Sequence, residues 1–178
     1  DTNRDEKEEY IRKKAEPAIR YAEILLIYAE ALNELTGNYN IASWDEETQY
    51  TIQRNIDEMK KGIQPIRIRA GIPDYTRSEY EDQDLFREKL KRERQIELMG
   101  EGHRYYDIRR WKDAEVEESL PIYGCNTLMT EKWRDVFHVP VAIPSLPTNF
   151  SRKMYFWPIS HSELKRNKML TQNPGWTY

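Results

Sequence analysis

Cysteine and histidine are scarce in this sequence, and their scarcity argues against several kinds of site. The 178 residues include one cysteine, Cys125, which cannot form an internal disulfide. Three histidines are scattered at His103, His138 and His161, whereas a metal centre needs several neutral histidine or thiolate donors at close spacing. The histidine nearest to Cys125 in sequence is His138, so no adjacent base is evident to activate the thiol. We therefore expect no disulfide, no metal centre and no cysteine-based catalysis.

Long apolar runs and an excess of basic charge are also missing. The longest apolar stretch, Ile24 to Ala29, is far shorter than the roughly 20 residues of a membrane-spanning helix. Lys and Arg number 28 against 31 Asp and Glu, and this net charge of −3, with both signs interspersed, leaves no basic footprint for nucleic acid. No nucleophile–base pair, phosphate-binding loop or metal cluster is visible. We predict no enzyme, no cofactor and no nucleic-acid partner.

The residues that are present fit a helical domain with solvated outer faces. Hydrophobic residues make up 38% and charged residues 33%, and the mean hydropathy is −0.93. This composition is polar for a globular chain, but an aromatic content of 12% argues against disorder. The length suffices for one domain with its own core. We predict that domain at residues 16–178, after a flexible, charged lead-in at residues 1–15.

The domain is predicted to begin with a pair of helices, residues 17–70. Pro17 suits the first turn of a helix because its missing N–H costs nothing there, and Gly37 suits the left-handed C-cap. The apolar stripe between them has helical spacing and consists of Ile19, Ala22, Leu25, Leu26, Ala29, Leu32 and Leu35.

The second helix of the pair is expected from Asp45 to Ala70. Gly62 and Pro65 should kink or loosen it, and its buried row would be Ile52, Ile56, Met59, Ile63 and Ile66. The pair is similar to one tetratricopeptide repeat, with small residues at the close-packing positions and a glycine in the turn. A single repeat cannot bury both of its faces, so it must stack on another element.

Residues 84–117 are predicted to form two further helices. Asp84 can cap the first of them, which extends to Met99, and the second covers residues 103–117. An irregular segment, residues 118–152, follows because it contains four prolines and no helical period.

The last part, residues 153–178, is predicted as extended chain with one short helix. The stretch KMYFWPIS has strand-like composition and ends in a proline. Ser160 is positioned to cap the helix that follows, with Glu163 at the third helical position.

The string GEGHRYYDIRRW, residues 100–111, has three interpretations. It could be a catalytic or metal site around His103, a ligand contact, or the polar joint between two packed helices. Arg104 can pair with Asp107 three residues later, and either can reach the preceding helix, where an arginine fork satisfies carboxylates and helix-end carbonyls together. We favour a structural clamp, formed by Glu97, Glu101, Arg104, Asp107 and Arg110.

Several aromatic residues fall in or beside loops, where three roles remain open. Flat rings can stack on sugars, they can anchor protein interfaces, or they can pin a loop to its own domain. If the domain contacts a ligand, we expect the contacts in segments that break the helical pattern. The candidate ligand-binding residues are Trp44, Tyr75, Tyr123 and Trp133.

Three segments together resemble the C-terminal half of SusD/RagB-type proteins: RYAEILLIYAEALNELTGNY, RERQIELMGEGHRYYDIRRW and YFWPISHSELKRNKMLTQNPGW. The family pattern has an Arg-x-Ala-Glu helix ending in Ala-Glu-Ala, then Arg-x-x-Glu-Leu, Glu-Gly-x-Arg, Asp-x-x-Arg-Trp and Gln-Asn-Pro-Gly-aromatic. The matching positions are Arg20, Ala22, Glu23, Ala29, Glu30, Ala31, Arg94, Glu97, Leu98, Glu101, Gly102, Arg104, Asp107, Arg110, Trp111, Gln172, Asn173, Pro174, Gly175 and Trp176. Their order and spacing, over about residues 16–178, make the resemblance specific. Ser160 departs from the pattern, which usually has a second proline there.

The resemblance implies a mainly α fold with tetratricopeptide-like helix pairs and long irregular loops, as the C-terminal part of a SusD-like α superhelix. It also implies a non-catalytic protein on the outer face of the outer membrane in Bacteroidetes-type bacteria. Such a protein binds an oligosaccharide, or in some members a peptide, and passes it to a SusC-like TonB-dependent transporter. The lipid anchor would belong to an N-terminal part that is not present in this chain.

The family motifs are scaffold in that picture, so none of them carries a ligand-binding role to this sequence. The alternative, from a different class, is a helical-repeat scaffold that binds only protein partners. Aromatic loops beside a groove would favour the first function, and a smooth apolar groove without polar rims would favour the second.

Overall fold

The structure, a computed structural model, describes residues 18–125, 138–145 and 148–177. The chain divides into two compact units, Asp1–Glu101 and Gly102–Tyr178. The described residues are mostly helical, which confirms the predicted fold class. Unit 1 contains α1 (Tyr21–Asn33), β1 (Tyr39–Ala42), β2 (Gln49–Ile52), α2 (Ile56–Arg69), α3 (Arg77–Glu81) and α4 (Gln83–Glu97). Unit 2 contains α5 (His103–Arg110), α6 (Ala114–Glu117), β3 (Tyr123–Gly124), β4 (Val141–Ala142), a 3-10 helix (Arg152–Tyr155) and α7 (His161–Arg166).

Helices α1 and α2 pack closely because small residues meet at their crossing. A Cβ atom added to Gly62 would lie 2.5 Å from the backbone oxygen of Leu25 and 2.8 Å from the Cβ of Ala29. Only glycine permits this approach, and Gly62 is buried within a helix that continues through Pro65. Helix α2 thus continues through both Gly62 and Pro65, and Gly62 contributes to its packing against α1.

The core of unit 1 largely follows the predicted apolar stripes. Its buried hydrophobic side chains are Leu26, Ala29, Leu32, Met59, Ile63, Ile66, Tyr80, Phe86, Leu90 and Leu98. Ile19, at the edge of the predicted stripe, is 68% exposed. Tyr80 and Phe86 are both fully buried, with ring centroids 4.7 Å apart, so α3 and α4 contribute aromatic bulk to the core that α1 and α2 begin.

Residues 45–55 were predicted as helix, and that prediction is wrong. β1 and β2 form an antiparallel hairpin with Tyr39 opposite Ile52 and Ala42 opposite Gln49. α2 begins only at Ile56, where the side chain of Asn55 accepts a hydrogen bond from the Glu58 amide at 3.1 Å.

Two further helix ends differ from the sequence predictions. α1 ends at Asn33, with Glu34 as its C-cap in the right-handed helical region, so Gly37 has no capping role. α4 is capped by Asp82, whose carboxylate accepts from the Leu85 amide at 2.9 Å, rather than by Asp84. Pro17, the predicted start of α1, lies outside the described residues.

The hairpin is anchored at its base by a buried polar contact. Asn33, 1% exposed, accepts hydrogen bonds from Nε and Nη2 of Arg54 at 3.2 and 3.0 Å. Its Nδ2 donates to the backbone oxygen of Gln83 at 3.1 Å. Arg54, which follows the hairpin, is thus bound to the last residue of α1, and that residue is bound to the first residue of α4. These contacts fix the position of the hairpin on unit 1.

Among its described residues, unit 2 has a smaller core and a more irregular chain than unit 1. Its buried cluster consists of Ile108, Ala114 and Phe150, with Met154 and Tyr155 packed against it. Within the irregular segment, β3 and β4 pair with Tyr123 opposite Ala142. The stretch predicted as extended begins instead with a 3-10 helix and becomes extended after it. Ser160 caps α7, as predicted, by accepting from the Glu163 amide at 3.4 Å.

Candidate functional site

One group of ion-paired side chains in unit 1 forms a clamp centred on Arg20, just before α1. Its Nε and Nη2 donate to the two carboxylate oxygens of Glu101 at 2.8 and 2.7 Å. Nη1 donates to the Glu97 carboxylate at 3.0 Å, and Nη2 also donates to the Glu97 backbone oxygen at 2.8 Å. The hydrogen bonds with Glu101, followed by those with Glu97, raise the pKa of Arg20. One guanidinium thus satisfies two carboxylates and a carbonyl at the end of α4.

The predicted clamp residues therefore have partners that the sequence analysis did not assign. Glu97 and Glu101 bind Arg20, and Glu97 also pairs with Arg69. In unit 2, Arg104 pairs with Glu117 at 2.8 Å rather than with a carboxylate nearer in sequence, and its side chain is 34% exposed. Asp107, a buried residue, pairs with Arg110 at 2.9 Å. Arg20, Arg69 and Glu117 are the members that sequence reasoning missed.

Tyr75, one of the predicted ligand contacts, is held inside unit 1. Its hydroxyl donates to Oε2 of Glu93 at 2.8 Å, and the same oxygen accepts from Nη1 of Arg67 at 2.6 Å. The Arg67 guanidinium carbon lies 3.9 Å from the centre of the Tyr75 ring, and Phe86 packs edge-on against that ring. Burial, followed by the hydrogen bond with Glu93, raises the pKa of Tyr75. These contacts give Tyr75 a packing role, because its hydroxyl and its ring are both engaged within unit 1.

Trp44 has the opposite environment at the tip of the β1–β2 hairpin. It is 95% exposed. The turn that carries it is held by the Ser43 amide, which donates to the Thr48 carbonyl at 2.7 Å, and by the Thr48 amide, which donates to Oγ of Ser43 at 3.1 Å. The hydrogen bond from Ser43, with a second from the Glu47 amide, lowers the pKa of Asp45. A ring on an ordered turn can meet a flat apolar surface without a large loss of backbone entropy.

Tyr123 and Trp133 are the other predicted ligand contacts. Tyr123 lies on β3, is more than half exposed, and belongs to a strand pair extended by the Ile143 amide donating to the Ile122 carbonyl at 2.8 Å. Trp133 lies outside the described residues. Trp44 and Tyr123 are therefore two exposed rings on separate units, and each is a candidate contact by itself.

The sequence analysis missed another exposed aromatic pair, Phe156 and Trp157, of which Trp157 is 76% exposed. The backbone here is fixed by the C-terminal tail. Gln172 exchanges two hydrogen bonds with the backbone of Ile159, at 2.8 and 3.0 Å. Asn173 donates to the Trp157 carbonyl at 2.6 Å. Three consecutive aromatics before a proline, in YFWP, are the signal that could have identified this pair.

Gly175 and Trp176 complete that tail contact. Nε1 of Trp176 donates to the carbonyls of Lys153 and Phe156, at 3.1 and 3.0 Å. Gly175 has φ +83°, and a Cβ there would lie 2.8 Å from the Cβ of Lys153. The string QNPGW is therefore a structural clasp for residues 153–159.

The described residues show neither a bilayer-spanning helix nor a metal-binding constellation. No helix among them is both long and apolar enough to cross a membrane. Nor does any group of three or more His, Cys, Asp or Glu side chains in the described ranges converge so as to hold a metal ion. The described residues do offer two features on which a functional interpretation can be based: exposed aromatic rings and ion-paired scaffold residues.

Comparison with known proteins identifies the scaffold. The SusD family model matches residues 1–176. The chain belongs to the SusD family. The sequence motifs that suggested this family coincide with the scaffold just described, since Arg20, Glu97, Glu101 and the QNPGW clasp all make structural contacts.

The relatives of this SusD-family chain have much longer sequences than the chain itself. A SusD-like protein P2 from Formosa agariphila is 31% identical over 162 residues, which are 89% of this chain and 25% of that protein. The crystal structure of a SusD-like protein from Bacteroides fragilis is 29% identical, with a TM-score of 0.64, over 89% of this chain and 25% of its own. A second solved structure, BT4246, is 26% identical with a TM-score of 0.70, over 89% and 24%. This chain thus spans about a quarter of the length of these relatives.

Proposed function

We propose that this protein binds a nutrient glycan, or a peptide, at the bacterial outer surface and passes it to a SusC-like TonB-dependent transporter. Membership of the SusD family over residues 1–176 is the observation that carries this proposal. The protein acts as a binding component and catalyses no reaction. It is held on the extracellular face of the outer membrane by a lipid anchor.

The distribution of side chains in the described residues supports a binding role. The polar residues of the family motifs are engaged in hydrogen bonds and ion pairs with their own unit, as Arg20 is with Glu97 and Glu101. Exposed aromatic rings, by contrast, include Trp44 on the hairpin and Tyr123 on the strand pair of unit 2. Rigid rings with a free face supply contact area at little cost in conformational entropy.

Trp44 is the main proposed ligand contact, and Tyr123 and Trp133 are further candidates. A sugar ring presents C–H groups on one face, and these can pack on a flat indole while neighbouring polar groups bind the hydroxyls. Stacking of a flat ligand on an aromatic side chain contributes about 1–3 kcal/mol by analogy with base stacking. Loss of Trp44 should therefore weaken ligand binding about tenfold or more.

Calorimetric titration with a panel of soluble oligosaccharides and peptides tests this function. The wild-type chain should bind at least one member of the panel, and Trp44→Ala should bind it about tenfold more weakly with an unchanged melting temperature. Tyr106→Ala is the matched control, because Tyr106 is also a largely exposed ring, on α5, to which we assign no ligand.

The outcomes separate the proposal from its alternative. Equal binding by wild type and by the Trp44, Tyr123 and Trp133 variants would place the ligand contacts on other residues. No binding to any oligosaccharide or peptide would favour the helical-repeat scaffold with protein partners only.

A further inference from the structure

The β1–β2 hairpin has one apolar face that is largely exposed in the part of the chain that the structure describes. Directly opposed residues in an antiparallel pair lie on the same face, and the next pair on that face is two residues along. The register therefore puts Tyr39, Ile41, Tyr50 and Ile52 on one side. Tyr39, Ile41 and Tyr50 are each about half exposed, although β-branched and aromatic side chains are normally covered.

The opposite face of the hairpin is largely polar. It carries Asn40, Ala42, Gln49 and Thr51, and the Thr51 hydroxyl donates to Oδ1 of Asn40 at 2.8 Å. The contrast between the faces gives the hairpin the pattern of a sheet that packs on one side only.

Both outer edges of the hairpin are also unpaired in the part of the chain that the structure describes, since its sheet has two strands. A hairpin of two four-residue strands is marginally stable alone. Exposed edges are usually protected by Lys or Pro, and residues 38–53 contain neither. An uncovered face with unprotected edges is typical of a surface that another polypeptide covers.

The charge of the hairpin restricts the chemistry of that polypeptide. Residues 38–53 contain three carboxylates, Asp45, Glu46 and Glu47, and no basic residue. Two copies of this hairpin face to face would bring six carboxylates together, so a second copy is disfavoured by repulsion. A partner with an apolar recess and lysines or arginines at its rim has the complementary potential.

A glycan fits this face less well than a protein does. Ile41, at its centre, is branched and aliphatic and offers no flat surface for stacking. The hydroxyl of Tyr39 is within hydrogen-bond distance, 3.2 Å, of the Thr36 hydroxyl, so it is already engaged within the unit.

We propose that the Tyr39, Ile41, Tyr50 and Ile52 face of the hairpin docks into an apolar recess with a basic rim on a protein partner. The inference rests on the proposed function, in which that partner is the transporter. The hairpin is then a docking element, and Trp44 at its tip remains available to a ligand.

The experiment measures binding of the full chain to the purified SusC-like transporter of its source bacterium, in detergent, by biolayer interferometry. Ile41→Thr keeps a β-branched residue in the strand but removes apolar area from the docking face, so affinity should fall about tenfold or more. Gln49→Thr makes the same new residue on the opposite face and should leave the affinity unchanged. Glu47→Lys should slow association, and added salt should reduce the difference between Glu47→Lys and wild type.

Each other outcome overturns the inference. If wild type binds the transporter and Ile41→Thr binds it equally well, the docking surface lies elsewhere and the proposed function stands. If wild type does not bind the transporter, the proposed delivery of a ligand to the transporter is wrong, and the docking inference fails together with that proposal. If Ile41→Thr weakens oligosaccharide binding, the face belongs to the ligand site. If it abolishes self-association seen by sedimentation, the occupant is a second copy.

Discussion

At the scale of single residues, Arg20 is a family-motif side chain that makes four hydrogen bonds to Glu97 and Glu101. It joins the start of α1 to the end of α4 through two carboxylates and one carbonyl. Glu97, one of its partners, has a side chain only 9% exposed. A charged group in that position is costly unless it is paired.

Replacement of Arg20 by alanine should therefore destabilise unit 1. The change leaves Glu97 with fewer partners near the end of α4, and we expect a loss of about 2 kcal/mol, below the range for fully buried pairs because Arg20 itself is partly exposed. Arg20→Lys should recover only part of this loss, because an ammonium cannot donate in a fork. Urea unfolding followed by circular dichroism measures both variants.

Arg104→Ala is the control for that prediction. The Arg104–Glu117 pair is partly exposed on both sides, and such pairs contribute about 0–1 kcal/mol. Equal losses for Arg20→Ala and Arg104→Ala would show that the Arg20 fork has no special role.

The comparison of these two arginines shows what the sequence could predict at this scale. The glutamates and arginines of the joint were identified as structural, and the structure gives them ion pairs. Their partners could not be assigned, because Arg20 and Glu97 are 77 positions apart. Local spacing contains no information about which distant helix end lies beside a given side chain.

At the scale of secondary-structure elements, the contact between α1 and α2 depends on the absence of a side chain. Gly62→Ala should destabilise unit 1 by about 1–3 kcal/mol, the range for overpacking, because the new methyl group would overlap the backbone of α1. Alanine has the higher helix propensity, so a helix without this contact would be stabilised by the same change. Thermal denaturation decides between the two effects.

Gly37→Ala provides the matching control. Nothing lies within 4 Å of a Cβ at Gly37. The melting temperature of that variant should stay close to wild type, and a drop as large as that of Gly62→Ala would contradict the packing explanation.

The capping box of α3 gives a pH dependence. Hydrogen bonding by the Thr76 amide, followed by Lys89, lowers the pKa of Glu79 from 4.5 to about 2. A carboxyl with a lowered pKa in the folded state stabilises fully above its unfolded pKa, and this contribution is lost as the pH falls from 4.5 towards 2.

Glu79→Gln isolates this contribution. The variant should be less stable than wild type at neutral pH, and the difference should shrink as the pH falls through that window. Carboxyl chemical shifts from NMR should show Glu79 titrating well below 4.5. A Glu79 that titrates near 4.5 would contradict the assignment.

The hairpin is the element that sequence periodicity predicted wrongly. The buried row Met59, Ile63 and Ile66 has helical spacing, and Ile52 and Ile56 continue it towards the N-terminus. Because the row continues with helical spacing, the strand-like alternation of Tyr39 with Ile41 and of Tyr50 with Ile52 was not recognised. That alternation covers only four residues in each strand. Asn55, the actual cap, was the local signal for the boundary.

At the scale of the whole molecule, the two units differ in how much apolar surface they bury. Among the described residues, the core cluster of unit 1 has ten buried side chains and that of unit 2 has three. Burial of apolar area is the main stabilising contribution to folding, so resistance to local opening should differ between the units.

Hydrogen exchange followed by mass spectrometry tests this difference. Amides of α2 and α4 should exchange slowest, and those of α7 and of the 3-10 helix should exchange earlier. Equal protection in both units would mean that the chain opens in one cooperative step.

The absence of basic residues from the hairpin also affects how proteases cut it. Trypsin cleaves after lysine or arginine, and residues 38–53 contain neither, so the exposed turn offers it no peptide bond. Chymotrypsin cleaves after aromatic residues, and Trp44 presents such a bond in an exposed turn. A brief chymotryptic digest should therefore cut unit 1 at the hairpin first, while a partner seated on the hairpin would slow that cut.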